Sequence, residues 1–243
     1  MFCKFAQILS FKYITMSDYS YIGERLAEIK ATLKAGVNLV AVSKTHPVEA
    51  LQAAYNEGQR IFGENKVQEM TMKQELLPKD IEWHFIGHVQ RNKIKYMAPY
   101  VSVIQGVDNY EKLVEINKQA AKYNRNIKCL LQIHVATEET KFGFTPEECL
   151  NMLETSAWAD LPNVTIAGVM GMASFTDNME QVRAEFEQLV TLFNTIKRRY
   201  FADVDTFTMI SAGMSDDYHI AMDCGSNLVR IGSSIFGARD YSK

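Results

Sequence analysis

Apolar residues recur along this chain in two alternating rhythms. Ile22, Leu26, Ile29 and Leu33 are spaced for one face of a helix that stops near Gly36. Residues 37–43 then form a short, nearly continuous apolar run, the pattern of a strand buried on both faces. The two rhythms keep exchanging. Pro47 opens a helix through Val48, Leu51 and Tyr55 to Gly58, residues 60–63 read as a second strand, and a helix follows over 67–77. Strands are predicted at 81–86 and 101–104, with helices after them at 92–97 and 109–123. Residues 127–135 make a fifth strand, and Pro146 starts the helix that carries Leu150 and Leu153. A sixth strand at 164–170 precedes the clearest helix of all. There Val182, Phe186, Leu189, Phe193 and Ile196 are spaced 4, 3, 4 and 3, behind a capping-box-like Asp177 and Glu180. Residues 207–210 and 228–231 complete the strands, and a helix over 216–224, stopped by Gly225, lies between them.

Eight strands, each followed by a helix, match a single-domain (β/α)8 TIM barrel in the α/β class, with an extra helix at its N-terminal end. An open doubly wound sheet is the alternative. The GxGxxG fingerprint that would favour it is missing after the first strand. Residues 17–243 are expected to form the barrel domain. Residues 1–16 carry Lys4 and Lys12 without any acid, fit neither a secretory signal nor a membrane span, and are expected to be a poorly ordered extension.

Composition narrows the functional classes. A net charge of −3 offers no electrostatic case for nucleic acid or an anionic membrane surface. Cys3, Cys129, Cys149 and Cys224 are scattered and form no CxxC pair, which argues against a zinc site or disulfide framework and for a reducing, cytoplasmic setting. His84 and His88 fall on a strand and its loop, so they share no helix face as metal ligands would. Arg198-Arg199 and the Lys93-Lys95 pair read as solvated helix charges, and Lys141 as a solvated loop lysine. His134, ending the fifth strand, reads as a hydrogen-bonded residue of the barrel mouth.

The candidate chemistry collects at the C-terminal ends of the strands, where barrels of this kind place their sites. Lys44 closes the first strand. Desolvating an ammonium there lowers its pKa, and the neutral amine is a nucleophile towards aldehydes. Asn65 follows the second strand, His84 lies late in the third, and Met172 follows the sixth. After the seventh and eighth strands, Ser211-Ala212-Gly213-Met214-Ser215 and Arg230-Ile231-Gly232-Ser233-Ser234 resemble the two halves of a phosphate cup. Gly213 and Gly232 admit close approach, and Ser211 and Ser233 offer hydroxyls. Ser215 is expected to N-cap the helix that follows. Arg230, which only donates, suits a heterocyclic nitrogen. An aldehyde, a phosphate and a pyridine nitrogen together describe pyridoxal 5′-phosphate (PLP).

These segments resemble the pyridoxal phosphate homeostasis protein family, the YggS/PROSC-like group of alanine-racemase-type barrels. The matching motifs are Ala41-Val42-Ser43-Lys44-Thr45, Phe62-Gly63-Glu64-Asn65-Lys66-Val67-Gln68-Glu69, Trp83-His84-Phe85-Ile86-Gly87, Gly213-Met214-Ser215-Asp216-Asp217 and Val229-Arg230-Ile231-Gly232. Val169 stands where the family carries a leucine. The resemblance implies that Lys44 holds PLP as an aldimine. It further implies that Ser211, Gly232 and Ser233 bind phosphate, that Arg230 faces the pyridine nitrogen, and that Asn65, His84 and Met172 line the pocket. It also implies a monomer that binds PLP and governs its cellular supply, with PLP-dependent apo-enzymes as acceptors and no catalytic residue assigned. A weak PLP-dependent amino-acid racemase is the competing enzyme class, and a Schiff-base aldolase acting on a sugar phosphate is a third.

Overall fold

The structure is a computed structural model that describes residues 19–138 and 142–238. The expectations for residues 1–16 and for Lys141 fall outside that range. The described chain opens with α1 (Ser20–Thr32), whose Ile22, Leu26 and Ile29 are buried as the helical spacing requires. Strand and helix then alternate through β1 (Asn38–Val42), α2 (Val48–Asn56), β2 (Ile61–Glu64), α3 (Val67–Leu76), β3 (Glu82–Phe85), α4 (Ile94–Met97) and β4 (Val103–Val107). They continue through α5 (Tyr110–Ala121), β5 (Ile127–Ile133), α6 (Pro146–Glu154), β6 (Val164–Gly171), α7 (Met179–Tyr200), β7 (Met209–Ser211), α8 (Tyr218–Cys224), β8 (Leu228–Ile231) and α9 (Ser233–Phe236). The strands are parallel and close in sequence order, with β8 paired to β1 through Asn38–Leu228 to Ala41–Ile231. Among the described residues the fold is a (β/α)8 barrel preceded by one helix. Tyr21 Oη of α1 donates to the Phe236 carbonyl of α9 at 3.0 Å and ties the two helices together.

Closure sorts the side chains by parity, because successive residues of a strand point to opposite faces. Val40, Val103, Leu130, Ala167, Met170 and Leu228 pack together inside the barrel, joined by the half-buried Ile61, Met172 and Met209. The alternate positions, Leu39, Ala41, Phe62, Trp83, Phe85, Val229 and Ile231, belong to the larger core between the sheet and its helices. The inward parity runs from Val40 to Lys44, from Ile61 to Asn65, from Met209 to Ser211 and Gly213, and from Leu228 to Arg230 and Gly232. In β6 the register shifts at Gly168, where a Cβ would collide with the Met209 backbone. That bulge flips the inward set from Ala167 to Met170 and carries Met172 to the mouth.

Several boundaries differ from the sequence pattern. β4 lies two to three residues later than the Val101–Ile104 reading, because Val101 is buried in the preceding turn and Gln105 enters the barrel. The start of α7 is capped by Asn178, whose Oδ1 accepts from Gln181 N at 3.2 Å, rather than by Asp177. Ser215 does not cap α8. Asp217 Oδ1 accepts from Met214 N at 2.6 Å, and the resulting turn delays the helix to Tyr218. The full capping box is at α6, where Thr145 and Glu148 exchange bonds. Among the described residues no helix is long and apolar enough to cross a membrane, and no group of acids, histidines and cysteines could hold a metal ion.

Candidate functional site

Parity brings the expected residues to one end of the barrel. Lys44 is half-buried at the mouth, one residue before Thr45, whose φ of 69° is left-handed. Across the mouth, Gly213 has a φ of 93°, and a Cβ there would lie 2.7 Å from Ala221 Cβ and from Tyr218 Cα. A Cβ on Gly232 would lie 2.9 Å from the Val42 carbonyl oxygen. Only glycine fits either place. Ser233 Oγ donates to Ser215 Oγ at 3.1 Å on the exposed surface, so the loops after β7 and β8 meet hydroxyl to hydroxyl. The first amides of α9 beside them have no acceptor within their own helix.

Below this rim the barrel interior carries a polar layer. Arg230 is 4% exposed; Nη1 donates to Ser211 Oγ at 2.6 Å and Nη2 to the Gly171 carbonyl at 2.9 Å. Burial draws its pKa down to about 10, partly offset by the Asp217 carboxylate, so the guanidinium stays cationic at neutral pH. Ser211 Oγ donates to Gln105 Oε1 at 2.6 Å, and Gln105 Nε2 donates to His84 Nδ1 at 2.9 Å. The imidazole proton therefore sits on Nε2. Burial pulls the His84 pKa down to about 3, and the ring is neutral.

This chain of bonds places two of the expected pocket residues. Ser211 is completely buried, and its hydroxyl donates to Gln105 while it accepts from Arg230, which it orients. His84, 2% exposed, belongs to the same chain of bonds beneath the mouth. Ser211→Ala leaves Arg230 Nη1 and Gln105 Oε1 facing one another without a partner, and is expected to cost about 1–3 kcal/mol in a urea titration.

Comparison with known proteins bears on this constellation directly. Residues 17–240 match the model of the alanine racemase N-terminal domain. The pyridoxal phosphate homeostasis protein of Pasteurella multocida is 40% identical over 214 residues, covering 86% of this chain and 90% of the relative. That of Aquifex aeolicus is 38% identical over 229 residues, covering 90% of this chain and 98% of its own. The chain belongs to the pyridoxal phosphate homeostasis protein family.

Solved structures agree. PipY of Synechococcus elongatus superposes with a TM-score of 0.83 without PLP and 0.80 with PLP bound, at 32% identity, covering 89% of this chain and all of PipY. An alanine racemase from E. faecalis, 19% identical with a TM-score of 0.69, shares the fold over 90% of this chain and 58% of its own length.

The residues of this family member fit the cofactor in the relatives' name. Asn65 Oδ1 is buried with no hydrogen-bond partner, an acceptor left for a ligand hydroxyl. Its position is fixed from behind, since a Cβ on Gly87 would collide with the Asn65 backbone. The two glycine notches leave backbone open to a phosphate, and Arg230 presents a donor that remains charged. Sequence reasoning missed Gln105, which links Ser211 to His84, and the buried ion cluster of Glu64, Lys73 and Glu69 behind Lys44. The available signal was a carboxylate ending an otherwise apolar strand, with Glu69 and Lys73 four apart on the next helix.

Proposed function

We propose that this chain binds PLP with Lys44 as its attachment amine and serves in the intracellular homeostasis of that cofactor. The observation that carries the reading is convergence: Lys44, Asn65, Arg230, Gly213 and Gly232 share the inward parity at one end of a closed barrel. Lys44 Nζ would hold the aldehyde carbon. Gly213, Gly232 and Ser233 would take the phosphate on backbone amides and a hydroxyl, Asn65 Oδ1 would accept from the ring hydroxyl, and Met172 would pack against the ring. Arg230, oriented by Ser211 and the Gly171 carbonyl, would donate to the pyridine nitrogen. Bound there, the cofactor supplies an electrophilic carbon that primary amines can attack reversibly.

The charge on Arg230 bears on turnover. A guanidinium facing the pyridine nitrogen opposes protonation of that nitrogen, since two positive charges would then meet in a buried site. The ring is then a weak electron sink, which favours binding and release over racemase-like chemistry at an amino acid. A cytoplasmic setting, a monomeric state and PLP-dependent apo-enzymes as acceptors complete the proposal. The free thiols of Cys129, Cys149 and Cys224 support the reducing compartment.

The test is direct. Purified protein loaded with PLP should carry a visible absorption band that borohydride abolishes, and mass spectrometry should place the reduced adduct on Lys44. A sugar-phosphate imine would be colourless. No band, or an adduct on another residue, refutes the proposal.

A further inference from the structure

On the helix side of β1, directly behind Lys44, lies a buried ionic cluster. Glu64 is completely buried and accepts from Ser43 Oγ at 2.6 Å and from Lys73 Nζ at 2.8 Å, both through Oε1. Lys73, 1% exposed, also donates to Glu69 Oε1 at 2.7 Å and to the Ser43 carbonyl at 2.8 Å. Glu69 Oε1 in turn accepts the Thr45 amide at 2.6 Å. The residues on either side of Lys44 are therefore held by the same three charges. Ser43 is held at its hydroxyl and its carbonyl, and Thr45 at its amide. Thr45 needs such a hold, because a β-branched residue enters the left-handed region only when its surroundings enforce it. One atom of the cluster is left over. Glu64 Oε2 is buried and has no hydrogen-bond partner.

We infer that Glu64 is a positioning residue for Lys44, gripping the Ser43–Thr45 backbone when ionised and loosening it when protonated, so that PLP is retained less firmly once Glu64 takes up a proton. The inference rests on Lys44 being the attachment amine. Its logic lies in the two oxygens. Both donors converge on Oε1, so an incoming proton settles on Oε2, where it finds no acceptor. The bonds from Ser43 and Lys73 then lose their charge assistance, and charge-assisted hydrogen bonds are roughly twice as strong as neutral ones. Lys73 is left shared unequally, drawn to Glu69 and away from Ser43.

The groups facing Glu64 place this change in a useful range. From α3 it meets Lys73, which favours the ionised form, and Glu69, which disfavours it; from β1 it meets the Ser43 hydroxyl. The Tyr100 phenol, ahead of β4, senses the Glu64 charge, and β3 presents only Phe85 at the paired position. Burial outweighs the help from Lys73 and pushes the Glu64 carboxyl up from 4.5 to about 7.

Glu64→Gln is the informative variant. It preserves an Oε1 acceptor for Ser43 and Lys73 while fixing the neutral state. The sign of the linkage favours its folding: a carboxyl raised from 4.5 to about 7 on folding loses stability as pH rises through that interval, and glutamine removes the loss. PLP is titrated into both proteins between about pH 6 and about pH 8, reading the apparent dissociation constant from the visible band. The chemistry of the Lys44 linkage has its own pH dependence, common to both, so the ratio of the two constants is the readout. The ratio is expected to show the wild-type protein binding more tightly at high pH and to converge to unity at low pH. About tenfold separates the extremes for each unit by which loading lowers the Glu64 pKa. A ratio that is flat with pH overturns the inference, even if Glu64→Gln melts at a different temperature, since a merely structural role would produce that. A wild-type chain that develops no band at any pH overturns the site reading and this inference with it.

Discussion

Lys44→Ala, incubated with excess PLP and freed of unbound cofactor, is expected to show no visible band, and borohydride should add no mass to it. Apparent affinity should fall on the order of a hundredfold or more, about 3 kcal/mol, because the covalent anchor is removed while the glycine notches and Arg230 remain. Residual binding should then compete with inorganic phosphate, which would take the same notches. Stability should hardly move. Lys44 is half-buried, and truncating it opens no cavity in the closed core, so a change within about 0.5 kcal/mol is expected in thermal melting. A variant that stays yellow and reducible would show that another amine carries the cofactor.

Lys73→Met should produce the largest loss of stability, about 3–5 kcal/mol. Methionine fills much of the same space, so packing is not the main loss. The loss arises because Glu64 and Glu69, whose oxygens both lie within 2.8 Å of the Lys73 nitrogen, would be left with no cation between them. Glu64 can relieve this by taking up a proton, which ties the loss to pH: it should be greater near about pH 8 than near about pH 6. Urea unfolding at the two pH values measures both quantities. An unchanged midpoint at the higher pH would mean that the two carboxylates do not depend on this lysine.

Much of the barrel is legible in the chain because each strand needs only its own apolar run and each helix only its own face. The spacing from Val182 to Ile196 and the positions of Pro47, Pro146 and Gly225 act locally, and the elements they mark are present. The two-residue alternation also carried Lys44, Asn65, Arg230 and Gly232 to one mouth once the strands were placed. What failed to show were the side-chain partnerships, most of them between residues far apart along the chain. Gln105 reads as a polar interruption of an apolar run, and only its bonds to Ser211 and His84, from β7 and β3, make it an interior residue. Ser211 looks like a loop hydroxyl beside a glycine until Arg230 is seen to occupy it. The helix after β7 starts late because Asp217 turns back on Met214, a choice between two side chains that local spacing cannot rank. Glu64 has its partner only nine residues on, and what the chain does not show is that Lys73 turns inward from α3 to meet it.

The bond from Tyr21 to the Phe236 carbonyl joins the first described helix to the last. With β8 laddered onto β1, the described chain returns to its own starting point, and no strand serves as an edge open to a neighbour. The architecture therefore encodes a cyclic order of connection. It assigns no special rank to the place where that circle happens to be interrupted.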